Sequence, residues 1–212
     1  MSLTLYGYWR ATAPYRVRIG LALKGLAYDY RAVNLAGGDQ HAEDYRAVNA
    51  QALTPALGIG AGVFLNQSLA ILEWLDETHP EPPLLPGDAL GRARVRAIAG
   101  MIACDMHPLN NLRVLQELAR RGQDEDARNA WARRWIEDGF KALEPMVAAE
   151  GRGWAYGDTP TLADCCLIPQ VFSAGRFGVD MSAFPAIAAI AARAEGHPAF
   201  QAAHPSRQPD AV

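Results

Sequence analysis

The sequence predicts an α/β domain followed by an all-α domain. Three observations lead there. Strand-like and helix-like patterns alternate over the first 80 residues. Four prolines fall within residues 80–87, a density that stops a helix and stiffens the chain. Alanine, the best helix former, is concentrated beyond that run: 26 of the 39 alanines lie after residue 88. The reading is therefore a first domain over residues 1–80, a linker over 81–88 and a helical domain over 89–212.

Each element follows from a local signal. Leu3, Leu5 and Gly7 fall on one side of a strand over residues 3–8. Residues 10–13 form a short loop, and Pro14 opens a helix, where its missing N–H loses nothing. Val17, Leu21 and Ala22 give that helix an apolar stripe. Arg16, Lys24 and Gly25 read as its basic end and glycine stop. A second strand covers 28–35, and a weak polar helix covers 39–48. Two short strands, 55–59 and 63–66, flank the Gly60-Ala61-Gly62 turn as a hairpin. Ser68 then caps a helix carrying Ile71, Leu72 and Leu75. The order β-α-β-α-β-β-α implies crossover pairing first and an antiparallel edge from the hairpin.

Beyond the linker every pattern is helical. Residues 89–120 read as one long helix with Val95, Ile98, Ala99 and Ile102 on its apolar face, kinked or broken at Pro108. Residues 127–149 carry Trp131, Trp135, Ile136, Phe140 and Leu143 at helical spacing, as core. Thr161 and Asp164 stand as the first and fourth members of a capping box. A short apolar helix covers 184–194, and the polar, proline-rich tail from His197 reads as an extended surface segment.

Composition excludes several functions. Twenty Lys and Arg against 23 Asp and Glu leave a net charge of −3, which argues against a nucleic-acid binder. No stretch approaches the apolar length of a membrane span, and no basic-then-apolar leader opens the chain. Cys104, Cys165 and Cys166 make a poor disulfide framework, so a reduced, soluble, cytoplasmic protein is expected. The five histidines show no metal-ligand spacing. Without a Cys-x-x-Cys pair, dithiol redox chemistry is not expected.

An ordered set of motifs narrows the reading. Residues Arg10-Ala11-Thr12-Ala13-Pro14-Tyr15-Arg16-Val17-Arg18-Ile19, Leu53-Thr54-Pro55, Asn66-Gln67-Ser68-Leu69-Ala70-Ile71, His107-Pro108-Leu109-Asn110-Asn111-Leu112 and the end His204-Pro205-Ser206-Arg207-Gln208-Pro209-Asp210 run the length of the chain. Together they resemble the zeta class of glutathione transferases, which includes the maleylacetoacetate and maleylpyruvate isomerases. The resemblance implies a thioredoxin-like first domain, an all-α second domain, glutathione as cofactor, a small anionic substrate and a homodimer. It also implies a cis–trans isomerisation of a maleyl keto acid, with the choice between the two substrates open. General transferase activity and a non-catalytic glutathione-binding role stand as alternatives.

The chemistry sets what the residues must do. A thiol of pKa about 8.5 is only about 3% ionised at pH 7, so the protein must stabilise the thiolate. Thr12 aligns with the second serine of the class's Ser-Ser-Cys segment and is the hydroxyl available, ahead of a positive helix end. Ala11 and Ala13 replace the other two members. Loss of that cysteine removes the group that would resolve a mixed disulfide, so reductive dehalogenation is not expected. On the same resemblance Thr54 and a cis Pro55 pair with the cysteinyl unit, Gln67 and Ser68 receive the γ-glutamyl carboxylate, and Gln40 reaches the glycyl end. His107 and Asn111 belong to the segment lining the site. Arg10, Arg113 and Arg176 are the candidates for the substrate's carboxylates and for enolate charge, because a guanidinium binds a carboxylate in a fork.

Overall fold

The computed structural model describes residues 2–212. The chain forms two compact units, one running to Leu84 together with Gly196–Val212, the other Leu85–Glu195. The division after Leu84 falls in the proline-rich run. The last 17 residues, however, join the first unit instead of the helical one in which the sequence reading put them.

The first unit holds strands β1 (Leu3–Gly7), β2 (Tyr28–Ala32), β3 (Ala56–Gly58) and β4 (Phe64–Asn66), with helices α1 (Thr12–Leu23), α2 (Glu43–Val48) and α3 (Ser68–Thr78). The sheet order is β2-β1-β3-β4. β1 and β2 are parallel, as the intervening helix requires; β3 pairs antiparallel with both β1 and β4. Leu3 and Leu5 of the sheet, Val17 and Leu21 of α1, Leu57, and Ile71 and Leu75 of α3 make the core. A Cβ at Gly20 would overlap the buried Leu72 side chain, so glycine there lets α1 and α3 approach closely.

Helix α1 differs from expectation at its start. It begins at Thr12 with Ala11 as cap, so Pro14 is its third residue. The reason is that the amides of a first turn have no acceptor in the helix, and proline is tolerated throughout that turn. The glycine stop is as expected: Gly25, at φ +65°, donates to Ala22 O at 3.1 Å while Leu26 donates to Leu21 O at 2.9 Å. Arg16 and Lys24, read as the basic end, are not solvated: they are 2% and 8% exposed, Lys24 paired with Asp76, and Arg18 between them is buried as well. The polar stretch expected as one helix over 39–48 splits into a 3-10 turn (Asp39–His41) and α2.

The helical unit holds α4 (Ala89–Gly100), α5 (Leu112–Arg120), α6 (Glu125–Glu150), α7 (Leu162–Arg176) and α8 (Pro185–Glu195). The long helix expected over 89–120 is broken. A π-type turn (Met101–Met106) and a 3-10 turn (His107–Asn110) separate α4 from α5, around Pro108, which has no N–H for the ladder. The tail expected to be extended forms α9 (Pro198–Ala203), capped by His197, whose Nδ1 accepts from Ala199 N. Burial of Ala199, Phe200 and Ala203 against the first unit supplies the driving force that a polarity reading of the tail overlooked.

Candidate active site

The strand register gathers five of the sequence-identified residues at one end of the sheet. Tyr6 and Asn66 both pair with Ala56, so the chain that follows β1 and the chain that follows β4 flank the segment before β3. That segment is Thr54–Pro55, and its peptide bond is cis. The Leu53 carbonyl just ahead of it accepts from Tyr45 Oη and Asn49 Nδ2, both at 2.7 Å. Asn49 is 2% exposed and was not singled out from sequence; an Asn at the end of a weak polar helix carries no signal of its own. A Cβ at Gly7 would lie 3.0 Å from Pro14 Cβ, so glycine at the end of β1 lets the start of α1 cross close above it.

Thr12 is therefore the first residue of α1 and buried, not a loop residue ahead of the helix. Its own amide and that of Ala13 belong to the first turn, where the helix offers no acceptor, and Ala11 provides no side-chain cap. Ser68 likewise is the first residue of α3, not its cap. Gln67 takes the cap position at φ +70°, without a side-chain cap bond, and its Nε2 donates to Gln51 Oε1 at 2.8 Å. The two helix starts are tied together: Arg16 Nη1, one turn along α1, donates to Ser68 Oγ at 3.1 Å. A buried guanidinium and two positive helix ends thus share one end of the sheet, an arrangement that favours anions.

The flanking loops contribute the remaining candidates of this unit. Arg10 lies between aromatic neighbours, its guanidinium 5.7 Å from the ring centres of both Tyr8 and Trp9. Gln40 sits in the 3-10 turn after Gly38, buried, its Nε2 3.3 Å from His41 Nε2; its Oε1 is buried without a hydrogen-bond partner.

In the helical unit, His107, Asn111 and Arg113 cluster at the break between α4 and α5. His107 opens the 3-10 turn; Asn111 caps α5 by accepting from Arg113 N at 3.1 Å; the Arg113 side chain is exposed. Trp131 of α6, read from sequence as core, donates its indole N–H to Leu109 O at 2.8 Å and so pins this turn. Arg176 ends α7, exposed, its guanidinium 5.5 Å from the Phe177 ring centre. The adjoining Phe177 carbonyl accepts from Arg133 Nε of α6 at 2.9 Å.

The family model for the N-terminal domain of glutathione S-transferases matches residues 13–78. A maleylpyruvate isomerase from a Ralstonia species is 50% identical, the match covering 99% of this chain and 100% of the relative. The chain belongs to the glutathione S-transferase family, among its maleylpyruvate and maleylacetoacetate isomerases. Among solved structures, the holo form of a maleylpyruvate isomerase, a bacterial transferase in the zeta class, superposes with a TM-score of 0.96 at 48% identity, covering 99% of this chain and 100% of that one. A maleylacetoacetate isomerase from Anaeromyxobacter dehalogenans, solved with glutathione in its active site, gives 0.91 at 45% identity over 100% and 98%. Within this zeta-class fold, the thioredoxin-like first unit and the helical second unit follow the expected architecture. Among the described residues no helix is long and apolar enough to cross a membrane.

Proposed function

We propose that this chain is a glutathione-dependent cis–trans isomerase of a maleyl keto acid, taking maleylpyruvate to fumarylpyruvate or maleylacetoacetate to fumarylacetoacetate. The observation that carries this reading is the full-length 50% identity to a maleylpyruvate isomerase. Glutathione fits the residues present. Two helix starts with no side-chain cap and a buried Arg16 suit its carboxylate and thiolate, and the segment before β3 suits its extended peptide. When bound, glutathione supplies a thiol that adds reversibly to the cis double bond, so that rotation gives the trans isomer.

The remaining work falls to the chain itself. The Thr12 hydroxyl donates to the sulfur, and the first-turn amides of α1 hold its negative charge. Thr54 offers its N–H and C=O to the cysteinyl backbone, as an added strand would. Ser68, with Arg16 behind it, and Gln67 hold the γ-glutamyl carboxylate. Gln40, His107 and Asn111 complete the cofactor contacts. Arg10 stabilises charge developing on the conjugated carbonyl, and Arg113 and Arg176 bind carboxylates. The protein acts as a homodimer in a reducing cytoplasm; exposed Leu90 and Val63 are consistent with the dimer, and light scattering at twice the 22.9 kDa chain mass tests it.

The test is ultraviolet absorbance of maleylpyruvate and maleylacetone with purified protein and glutathione. Isomerisation that depends on glutathione is expected. Retention on glutathione resin without turnover of either compound would favour a binding protein, as the alanines at 11 and 13 would allow. In the active enzyme, Arg176→Ala should raise KM about 10- to 150-fold, from a charge-assisted pair of about 1.5–3 kcal/mol, with glutathione affinity nearly unchanged. Wild-type kinetics in that variant would make Arg176 a surface charge.

A further inference from the structure

The connection between β1 and α1 is held by the far end of the chain. Residues 8–11 form a turn closed by Ala11 N donating to Tyr8 O at 3.0 Å, with Trp9 and Arg10 at its centre. Both backbone groups of Trp9 are taken by charged side chains. Its N–H donates to Asp210 Oδ2 at 3.0 Å, 201 positions away. Its carbonyl accepts from Arg18 Nη2 at 2.8 Å.

Both charged partners are themselves fixed. Arg18 is 0% exposed; its Nε donates to Ala203 O at 3.0 Å, and its guanidinium lies 5.1 Å from the Tyr15 ring centre. Asp210 Oδ2 also accepts from Tyr30 Oη at 3.3 Å, while its Oδ1 is buried without a partner. Burial disfavours the charge on Arg18, and Asp210 is among the groups that restore it. Burying a guanidinium and a carboxylate is unfavourable unless each is well paired, and a surface turn could have bound water instead. The arrangement therefore holds both backbone groups of Trp9 with side chains that are themselves anchored elsewhere. It also stands where a helix cap would normally do this work, since Ala11 has no side chain to anchor the start of α1.

We propose that Asp210 and Arg18 are positioning residues for the reaction: by clamping the Trp9 peptide from both sides they set Arg10, the next residue, and Thr12, at the start of α1, in their working places. This rests on the isomerase reading of Arg10 and Thr12. Neither clamp residue touches substrate or glutathione; each acts through the backbone of residue 9.

The experiment uses the full-length protein with D210A, D210N and R18K. It measures kcat and KM with glutathione and maleylpyruvate, and hydrogen–deuterium exchange of peptides spanning residues 8–13. D210A should lower kcat about 10- to 100-fold, the scale expected of a small misplacement of reacting groups, and leave KM for glutathione within about 2-fold. Exchange over 8–13 should rise, and D210N, which keeps an oxygen to accept from Trp9 N–H, should recover most of the rate. Wild-type kcat in D210A, or unchanged exchange over 8–13, would reduce Asp210 to an anchor for the chain end and overturn the proposal. If D210A does not fold, R18K decides on the same two readouts, a lower kcat with raised exchange supporting the clamp and wild-type values overturning it. A wild-type protein that turned over no maleyl compound would instead defeat the isomerase reading. The clamp would then stand or fall on the exchange of 8–13 alone.

Discussion

The start of α7 and the start of α1 meet the same problem in opposite ways. A helix leaves its first amides without acceptors. At α7 they are closed off: Thr161 Oγ1 accepts from Ala163 N, Asp164 Oδ2 accepts from Thr161 N at 2.8 Å, and Asp164 Oδ1 takes Ala155 N at 2.7 Å. Asp88, Asn111, Asp124 and His197 cap α4, α5, α6 and α9 in the same spirit. At α1 the cap is Ala11, and at α3 it is Gln67 in a left-handed conformation; neither side chain closes the turn. Helix α2 also lacks a cap, but Asp44 takes up the Tyr45 amide. The lesson is a division of labour. Starts that only hold the fold are sealed by side chains, and the two proposed to receive glutathione keep their amides available.

Breaking the sealed start should have the largest effect. Asp164→Ala removes the acceptor for three donors in a fully buried site, and should lower unfolding free energy by about 3 kcal/mol or more in urea titrations. A loss below about 1 kcal/mol would mean that water replaces the carboxylate. The same group should make stability depend on pH. Burial pushes Asp164 up to about 6 from 3.8, against the pull of its hydrogen bonds from Ala155 and Thr161. The folded state then binds this proton more tightly than the unfolded chain. Its contribution is complete below about 3.8 and is lost as pH rises through about 6, by up to roughly 3 kcal/mol. Asp164→Asn should flatten that slope, and a wild-type slope in the variant would assign it to other groups.

Altering the open starts should give smaller stability changes, of opposite sign, together with a loss of binding. Gln67→Gly relieves a φ of +70° that costs a residue with a Cβ on the order of 1–2 kcal/mol, partly offset by the freer unfolded chain. A net gain of up to about 1 kcal/mol with weaker glutathione binding is expected; unchanged affinity would show that the strain serves no ligand. Ala11→Asp supplies the missing cap and should stabilise α1 by about 0.5–1 kcal/mol while weakening glutathione binding, because the new carboxylate takes the Ala13 amide and repels the thiolate. Isothermal titration that finds full affinity would place those amides away from the ligand.

The contrast was legible in the sequence on the sealed side and only partly on the open side. Thr161 and Asp164 announce their cap by spacing, and the break near Pro108 follows from its missing N–H. Thr12, Thr54–Pro55 and Gln67–Ser68 were identified from motif resemblance, but the helix starts were misplaced. A proline two residues inside a helix looks the same in sequence as one at its first position. Arg16 and Arg18 could not be recognised as buried. The apolar stripe of α1 predicts one covered face, whereas the sheet, α3 and the C-terminal segment cover the helix on its other sides as well. The Asp210–Trp9 contact spans 201 positions and leaves no local pattern to read.

The central claim is that the open start of α1, through Thr12, holds the sulfur of glutathione as its anion. Thr12→Val keeps the shape of the side chain and removes the hydroxyl. The most direct measurement is a titration of enzyme-bound glutathione, followed by thiolate ultraviolet absorbance, in wild type and in this variant. The account predicts that the bound thiol pKa rises by about one unit, leaving a weakened enzyme because the first-turn amides still act on the sulfur. An unchanged thiol pKa in Thr12→Val would contradict it.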